Sequence, residues 1–347
     1  LVVLDCSNTL INNLDPIVNL RKLKTIDFSN TQIKDLEPLE SLVQLEDIYA
    51  ISTAIEDLGS LSGLENLKKL HIPKTPIGKL DPIEDLKKLQ ELYCYNTQVS
   101  DLAPIAGLEQ LHTLHCYKTS INQLDPIANL TNLKELHCYN TPVNSLKPLS
   151  KLQNLRVLYV QNTQITDIGA IGSLANLEYL KSYNTLISDL KPLSGLKNLK
   201  ELNCSKTQIN DLTPLKSLVS LERLDISKSQ VNTLNGLQNL VNLTNLQCNS
   251  TRINKLNPIS NLTNLQDLNC SNTAITNIEA VKNLVNLQKL ATANTQITSF
   301  APVSNLRNLN TLKCEGTAVT NLKPIENLSN LKNVDCLGRE AITDNLD

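Results

Sequence analysis

Apolar side chains recur along this chain with a period of 22 residues. Within each unit, positions 1, 4, 6, 11, 14, 17 and 20 are apolar and most of the rest are polar. Across positions 3 to 7 the alternation has a period of two, which predicts a short strand with positions 4 and 6 toward a core and 3, 5 and 7 on the opposite face. An Asn-Thr or Lys-Thr step at positions 8 and 9 predicts a turn that ends the strand. Three consecutive units spell this out almost identically: Glu91-Leu-Tyr-Cys-Tyr-Asn-Thr-Gln-Val99, Thr113-Leu-His-Cys-Tyr-Lys-Thr-Ser-Ile121 and Glu135-Leu-His-Cys-Tyr-Asn-Thr-Pro-Val143. Fifteen units run from Leu1 to Asn330 without insertion, and a divergent one begins at Leu331.

Position 16 is proline in eleven units, among them Pro16, Pro82, Pro126, Pro192 and Pro324. Proline near a helix start sacrifices no hydrogen bond, and the short distance to the Leu at position 20 leaves room for about one turn, predicted as 3₁₀. The units with Ser60, Ala170, Gly236 and Ala280 at this position are expected to be looser there. One such unit cannot bury its apolar positions alone. Stacking in register covers both flanks and adds a ladder of backbone hydrogen bonds, so stability becomes a property of neighbouring units. The fold class that follows is an α/β solenoid.

The consensus, L-x-x-L-x-C-x-x-T-x-I-x-x-L-x-P-I-x-x-L-x-N, resembles the leucine-rich repeat. It is most similar to the internalin type, within a broader class of 22-residue repeats; Ile165-Thr-Asp-Ile168 and Asn261-Leu-Thr-Asn-Leu265 match that pattern closely. The resemblance covers Leu1 to about Cys336. It implies a curved superhelix with a parallel sheet on the concave side and 3₁₀ turns on the convex side, and a recognition domain without catalysis. The internalin type further implies a bacterial protein at the cell surface or secreted; the broader class keeps a cytoplasmic location open. Two departures stand out, cysteine at position 6 and threonine at position 9, where the family uses asparagine. The threonine column (Ser229 in one unit) is expected to replace the family's asparagine ladder in tying adjacent turns together.

Composition narrows the functional classes. The chain has 32 basic and 34 acidic residues, a formal net charge of −2, which argues against a nucleic-acid groove. No apolar run is long enough to span a bilayer, so membrane insertion is not expected. No linker interrupts the period, which predicts a single domain over 1-347: fifteen repeats over 1-330 and a terminal repeat over 331-347 that departs from the pattern with Arg339 in place of Thr. The chain is expected to be a fragment of a longer protein.

All nine cysteines occupy position 6: Cys6, Cys94, Cys116, Cys138, Cys204, Cys248, Cys270, Cys314 and Cys336. On the core side of a strand they act as small apolar residues and are expected to be buried and reduced. Disulfides between neighbours are disfavoured because in-register side chains hold their Cβ atoms about a strand spacing apart. A single file of thiols does not converge on a metal. The adjacent pairs His115-Cys116 and His137-Cys138 cannot form a nucleophilic dyad, since alternation sends each ring and each thiol to opposite faces. No catalytic motif and no cofactor site emerges, and the chain reads as a non-enzyme.

The candidate site lies on the outward strand positions. All eight tyrosines fall at positions 3, 5 or 7. With neighbouring His and Glu they define a ligand-binding face of Tyr49, His71, Glu91, Tyr93, Tyr95, His115, Tyr117, Glu135, His137, Tyr139, Tyr159, Tyr179 and Tyr183. After Tyr183 the same positions carry small polar groups such as Asn203, Gln247 and Asn269. Clustered tyrosines favour a protein ligand. A glycan, or a role as a scaffold or regulatory arm of a larger signalling protein, are the alternatives. His115, Glu135 and His137 could reach one metal ion, but no outer partners are evident and no metal is expected.

Overall fold

The structure, a computed structural model, describes residues 1–336. The divergent stretch after Cys336, Arg339 included, lies outside the described residues. The chain divides into two compact units, Leu1–Leu177 and Glu178–Asp347, although the repeat runs through this boundary without a break in sequence.

In the first unit each repeat contributes one strand: β1 (Val3–Asp5), β2 (Thr25–Asp27), β3 (Asp47–Tyr49), β4 (Lys69–His71), β5 (Glu91–Tyr93), β6 (Thr113–His115), β7 (Glu135–His137) and β8 (Val157–Tyr159). Each pairs in parallel with the next, in a register that sets equivalent positions side by side, as with His115 opposite His137. The second unit repeats the arrangement with β9 (Tyr179–Lys181), β10 (Glu201–Asn203), β11 (Arg223–Asp225), β12 (Asn245–Gln247), β13 (Asp267–Asn269), β14 (Lys289–Ala291), β15 (Thr311–Lys313) and β16 (Asn333–Asp335). The strands cover positions 3 to 5, shorter than the 3 to 7 predicted. The backbone ladder nevertheless continues beyond them, with Cys94 N–H donating to His115 O and Asn96 N–H to Tyr117 O.

Position 8 closes the strand because it takes the left-handed conformation. Fourteen non-glycine residues there, including Asn8, Lys74, Asn96 and Asn140, have φ between 52° and 57°. Asparagine tolerates this region best, which explains its prevalence at the position. The threonine column has a different role from the expected one. Each hydroxyl donates to the carbonyl three residues earlier in its own turn, as from Thr119 to Cys116 O at 2.6 Å and from Thr163 to Val160 O at 2.7 Å. Adjacent turns are tied instead by the asparagine at position 22. Its amide nitrogen donates to the position-21 carbonyl of the preceding repeat, as from Asn132 to Glu109 O, Asn154 to Thr131 O and Asn264 to Val241 O, each at 2.9 Å. A threonine hydroxyl reaches only its own turn, whereas the longer amide spans to the next.

Short 3₁₀ turns lie opposite the strands, most with proline as their second residue, as in Asp81–Ile83 and Asp125–Ile127. Lack of proline does not loosen them as expected. Gly59–Leu61 is still a 3₁₀ turn, and Gly169–Ser173 and Glu279–Asn283 are longer than most, because the backbone hydrogen bonds form whichever residue starts the turn. The exception is the repeat of Gly236, whose φ of +105° lies far from the helical region. The core holds positions 1, 4, 6, 11, 14, 17 and 20 almost without exposure from Leu23 to Leu312. In the first repeat Leu4, Cys6, Ile11 and Ile17 remain half-exposed.

One cysteine expectation is corrected. Cys314 and Cys336 form a disulfide between β15 and β16, with Cα atoms 4.6 Å apart. That separation is inside the range a disulfide accepts, and rotation about Cα–Cβ lets two in-register thiols meet. The other seven are free, six of them buried. Burial pushes the Cys94 and Cys138 thiols up to about 12, so they are inert at neutral pH.

Candidate functional site: two rows of stacked rings

The register of β3 to β8 turns a one-dimensional pattern into two files of aromatic rings. At position 5, Tyr49 meets His71 edge-on, with centroids 4.9 Å apart and planes at 88°. From there the file is face to face: His71 on Tyr93 at 3.9 Å, Tyr93 on His115 at 4.2 Å, His115 on His137 at 4.0 Å and His137 on Tyr159 at 4.3 Å, all within 13° of parallel. At position 7, Tyr95, Tyr117 and Tyr139 stack at 4.3 and 4.1 Å. Parallel strands impose a spacing of about 4.8 Å, close to the separation preferred by aromatic faces, so equivalent rings on successive rungs stack with little adjustment.

Stacking changes what the face offers. The three histidines are more enclosed than an exposed strand position suggests, with side chains only 11%, 13% and 14% exposed at His71, His115 and His137. Each ring covers its neighbours, and ring edges and hydroxyls are left toward solvent. Burial, reinforced by the hydroxyls of Tyr139 and Tyr95, raises the Tyr117 phenol far above its ordinary range. Tyr49 and Tyr93 are raised mainly by burial.

Two carboxylates at position 3 serve the histidine file. Glu135 Oε1 lies 2.8 Å from His115 Nε2 and 3.1 Å from His137 Nε2. Glu91 lies 3.0 Å from Lys69 Nζ, with its other oxygen 3.4 Å from His71 Nε2. Burial by itself would raise Glu91, but Lys69 and His71 draw it below the usual carboxylate range. Burial lowers both His71 and His115 despite these acids, which favours neutral imidazoles at neutral pH.

Of the thirteen residues picked from sequence, eleven stand in the first unit, and nine of these are rings in the two files, with Glu91 and Glu135 beside them. Tyr179 and Tyr183 belong to the second unit, where Tyr179 opens β9 and Tyr183 follows its end; both are half-buried. Lys69 was missed by the sequence reading. It shares position 3 with the two acids, and its charge opposite Glu91 on the next strand was the available signal. In the second unit, outward strand positions line a polar hollow of about 390 Å³ bounded by Gln247, Asp267, Asn269, Asn272, Lys289 and Glu315, among others. Among the described residues, no helix is long and apolar enough to cross a membrane.

Family models agree with the repeat. A leucine-rich repeat region matches residues 57–167, and a two-copy leucine-rich repeat matches residues 1–41, 153–195 and 263–306. No curated protein sequence matches. Among solved structures, the chain is similar to an internalin, inlF, from Listeria monocytogenes at 26% identity and a TM-score of 0.66, over 97% of this chain and 87% of that one. It also resembles the functional domain of InlJ from the same organism, described as including a cysteine ladder, at 23% identity and a TM-score of 0.83, over 93% and 70%. A plant peptide hormone receptor, RGFR1, in complex with RGF2 shares the fold at 14% identity and a TM-score of 0.67, over 97% and 74%.

Proposed function

Because the chain is a leucine-rich-repeat protein of the internalin type, we propose that it is a non-enzymatic recognition module that binds a protein ligand through the ring files of its first unit. The observation that carries this reading is the continuity of the files: five rings at position 5 and three at position 7, stacked face to face on consecutive strands. Rings already held in place lose little entropy when a ligand docks, which is what a recognition surface gains from preorganisation. The repeats supply a rigid frame, the inert thiols supply core volume, and the His and Tyr edges supply polar contacts. A surface or secreted location fits the internalin likeness.

Panning a displayed random-peptide library on the whole chain tests the reading. Enriched peptides are expected to lose at least tenfold in affinity against the triple variant Tyr95→Ala, Tyr117→Ala, Tyr139→Ala, and to keep their affinity against Asn203→Ala, Gln247→Ala, Asn269→Ala. The rings support one another, so the tyrosine variant is assayed where circular dichroism shows it folded. Equal losses in both variants would remove the ring files as the site. The polar hollow of the second unit favours a second reading, glycan adhesion, since amides and charges around a shallow cavity suit sugar hydroxyls. On a glycan array that reading predicts the reverse result, with the Asn203, Gln247, Asn269 variant losing the signal.

A further inference from the structure

We propose that His115, Glu135 and His137 form a binding site for one divalent transition-metal ion of the Zn²⁺ class. The parallel register sets His115 directly opposite His137, and Glu135 lies two residues before His137 on the same face. Both Nε2 atoms lie close to one carboxylate oxygen, Glu135 Oε1, at 2.8 and 3.1 Å, and His115 Nε2 is hydrogen-bonded to it. One ligand atom from each of the three residues lies within 4.8 Å of the other two. Two imidazoles and a carboxylate are a donor set that zinc uses in sites that keep a coordination position open.

The surroundings fit a cation. Tyr93 and Tyr159 cover the outer faces of the two imidazoles, leaving ring edges as the approach. Glu91 adds negative potential at His115. Glu135 is the most exposed of the three, with 34% of its side chain accessible, so the ion would enter from its side. Coordination at about 2.0–2.2 Å requires the donors to draw in from their present spacing. Stacked rings also aim their lone pairs along parallel lines, so each imidazole must turn about Cβ–Cγ until the two lone pairs converge.

The experiment reads metal binding without any peptide ligand, so its failure is distinguishable from a failure of the peptide-recognition reading. After chelator treatment and dialysis, the whole chain is titrated calorimetrically with ZnCl₂ alone, and with CoCl₂ for its visible absorption. One saturable site is expected, with a tetrahedral-type Co²⁺ spectrum. His115→Phe and His137→Phe keep a ring in the stack while deleting the ligand nitrogen; each should weaken binding at least tenfold, as should Glu135→Gln. His71→Phe, in the same file but outside the triad, and the triple tyrosine variant should bind as the parent does. No saturable uptake, or uptake unchanged in the Phe variants, would overturn the proposal. An equal loss in His71→Phe would assign the effect to the stack and overturn it as well.

Discussion

His115 and His137, one repeat apart in the chain, lie face to face with centroids 4.0 Å apart and planes within 8° of parallel. Two imidazoles so close would repel if both were protonated, so the stack is built for neutral rings. The carboxylate of Glu135 is hydrogen-bonded to His115 Nε2 and lies 3.1 Å from His137 Nε2. Tyrosine rings extend the file on either side, which makes each ring a structural support for the next.

Tyr93 is sandwiched between His71 and His115, so truncating it removes two stacked contacts at once. Tyr93→Ala should cost about 1–3 kcal/mol in stacking, at roughly 0.5–1.5 per pair, with lost burial added. Tyr93→Phe keeps both faces and should stay within about 0.5 kcal/mol of the parent. Urea unfolding followed by circular dichroism measures both.

Stability should fall as the solution is acidified below the ordinary histidine value of 6.5. Burial depresses His71 in the folded chain, so from that pH downward the unfolded chain binds more protons, and the loss levels off below the folded value. His71 faces Tyr49 on β3 and Tyr93 and Glu91 on β5, with Lys69 on its own strand and His115 one strand beyond β5. His71→Phe keeps the ring and should remove part of the loss between pH 7.5 and 5. An unchanged acid dependence in unfolding titrations would contradict this.

The two hydrogen-bond columns should differ in weight. Asn154→Ala removes an exposed bond between adjacent turns and should cost about 0.5–1.5 kcal/mol. Thr163→Val withdraws the buried donor of the Val160 carbonyl and should cost about 1–3 kcal/mol. Paired denaturation curves decide the order.

Gly236 is required by its backbone. A Cβ there would fall 2.3 Å from the Leu212 carbonyl oxygen at a φ of +105°. Gly236→Ala should therefore cost about 1–3 kcal/mol in backbone strain, with the clash added. Gly195→Ala, where a Cβ meets nothing within 4 Å, should be near neutral in the same thermal melts.

Thiol counting checks the cysteine column. Unfolded without reductant, the chain should show seven reactive thiols, and nine after reduction of the Cys314–Cys336 bridge. In the folded chain only the half-exposed Cys6 should react readily.

The sequence alone determined the repeat, the inward and outward strand positions, the turn at position 8 and the tyrosine-bearing face. These follow from local pattern: strand alternation, the left-handed preference of asparagine and the need of each repeat to bury its leucines against the next all act within about one repeat. Only the tertiary structure decided what lies across the strands. Thr119 turned out to close its own loop while Asn132 holds the neighbouring one, because reach depends on the distance between turns and on side-chain length. The bridge from Cys314 to Cys336 depends on how thiols rotate between paired strands. The enclosure of His71, His115 and His137, which sequence placed on an open face, arises because the spacing of parallel strands nearly equals that of stacked rings, so side chains remote in sequence shield one another from water.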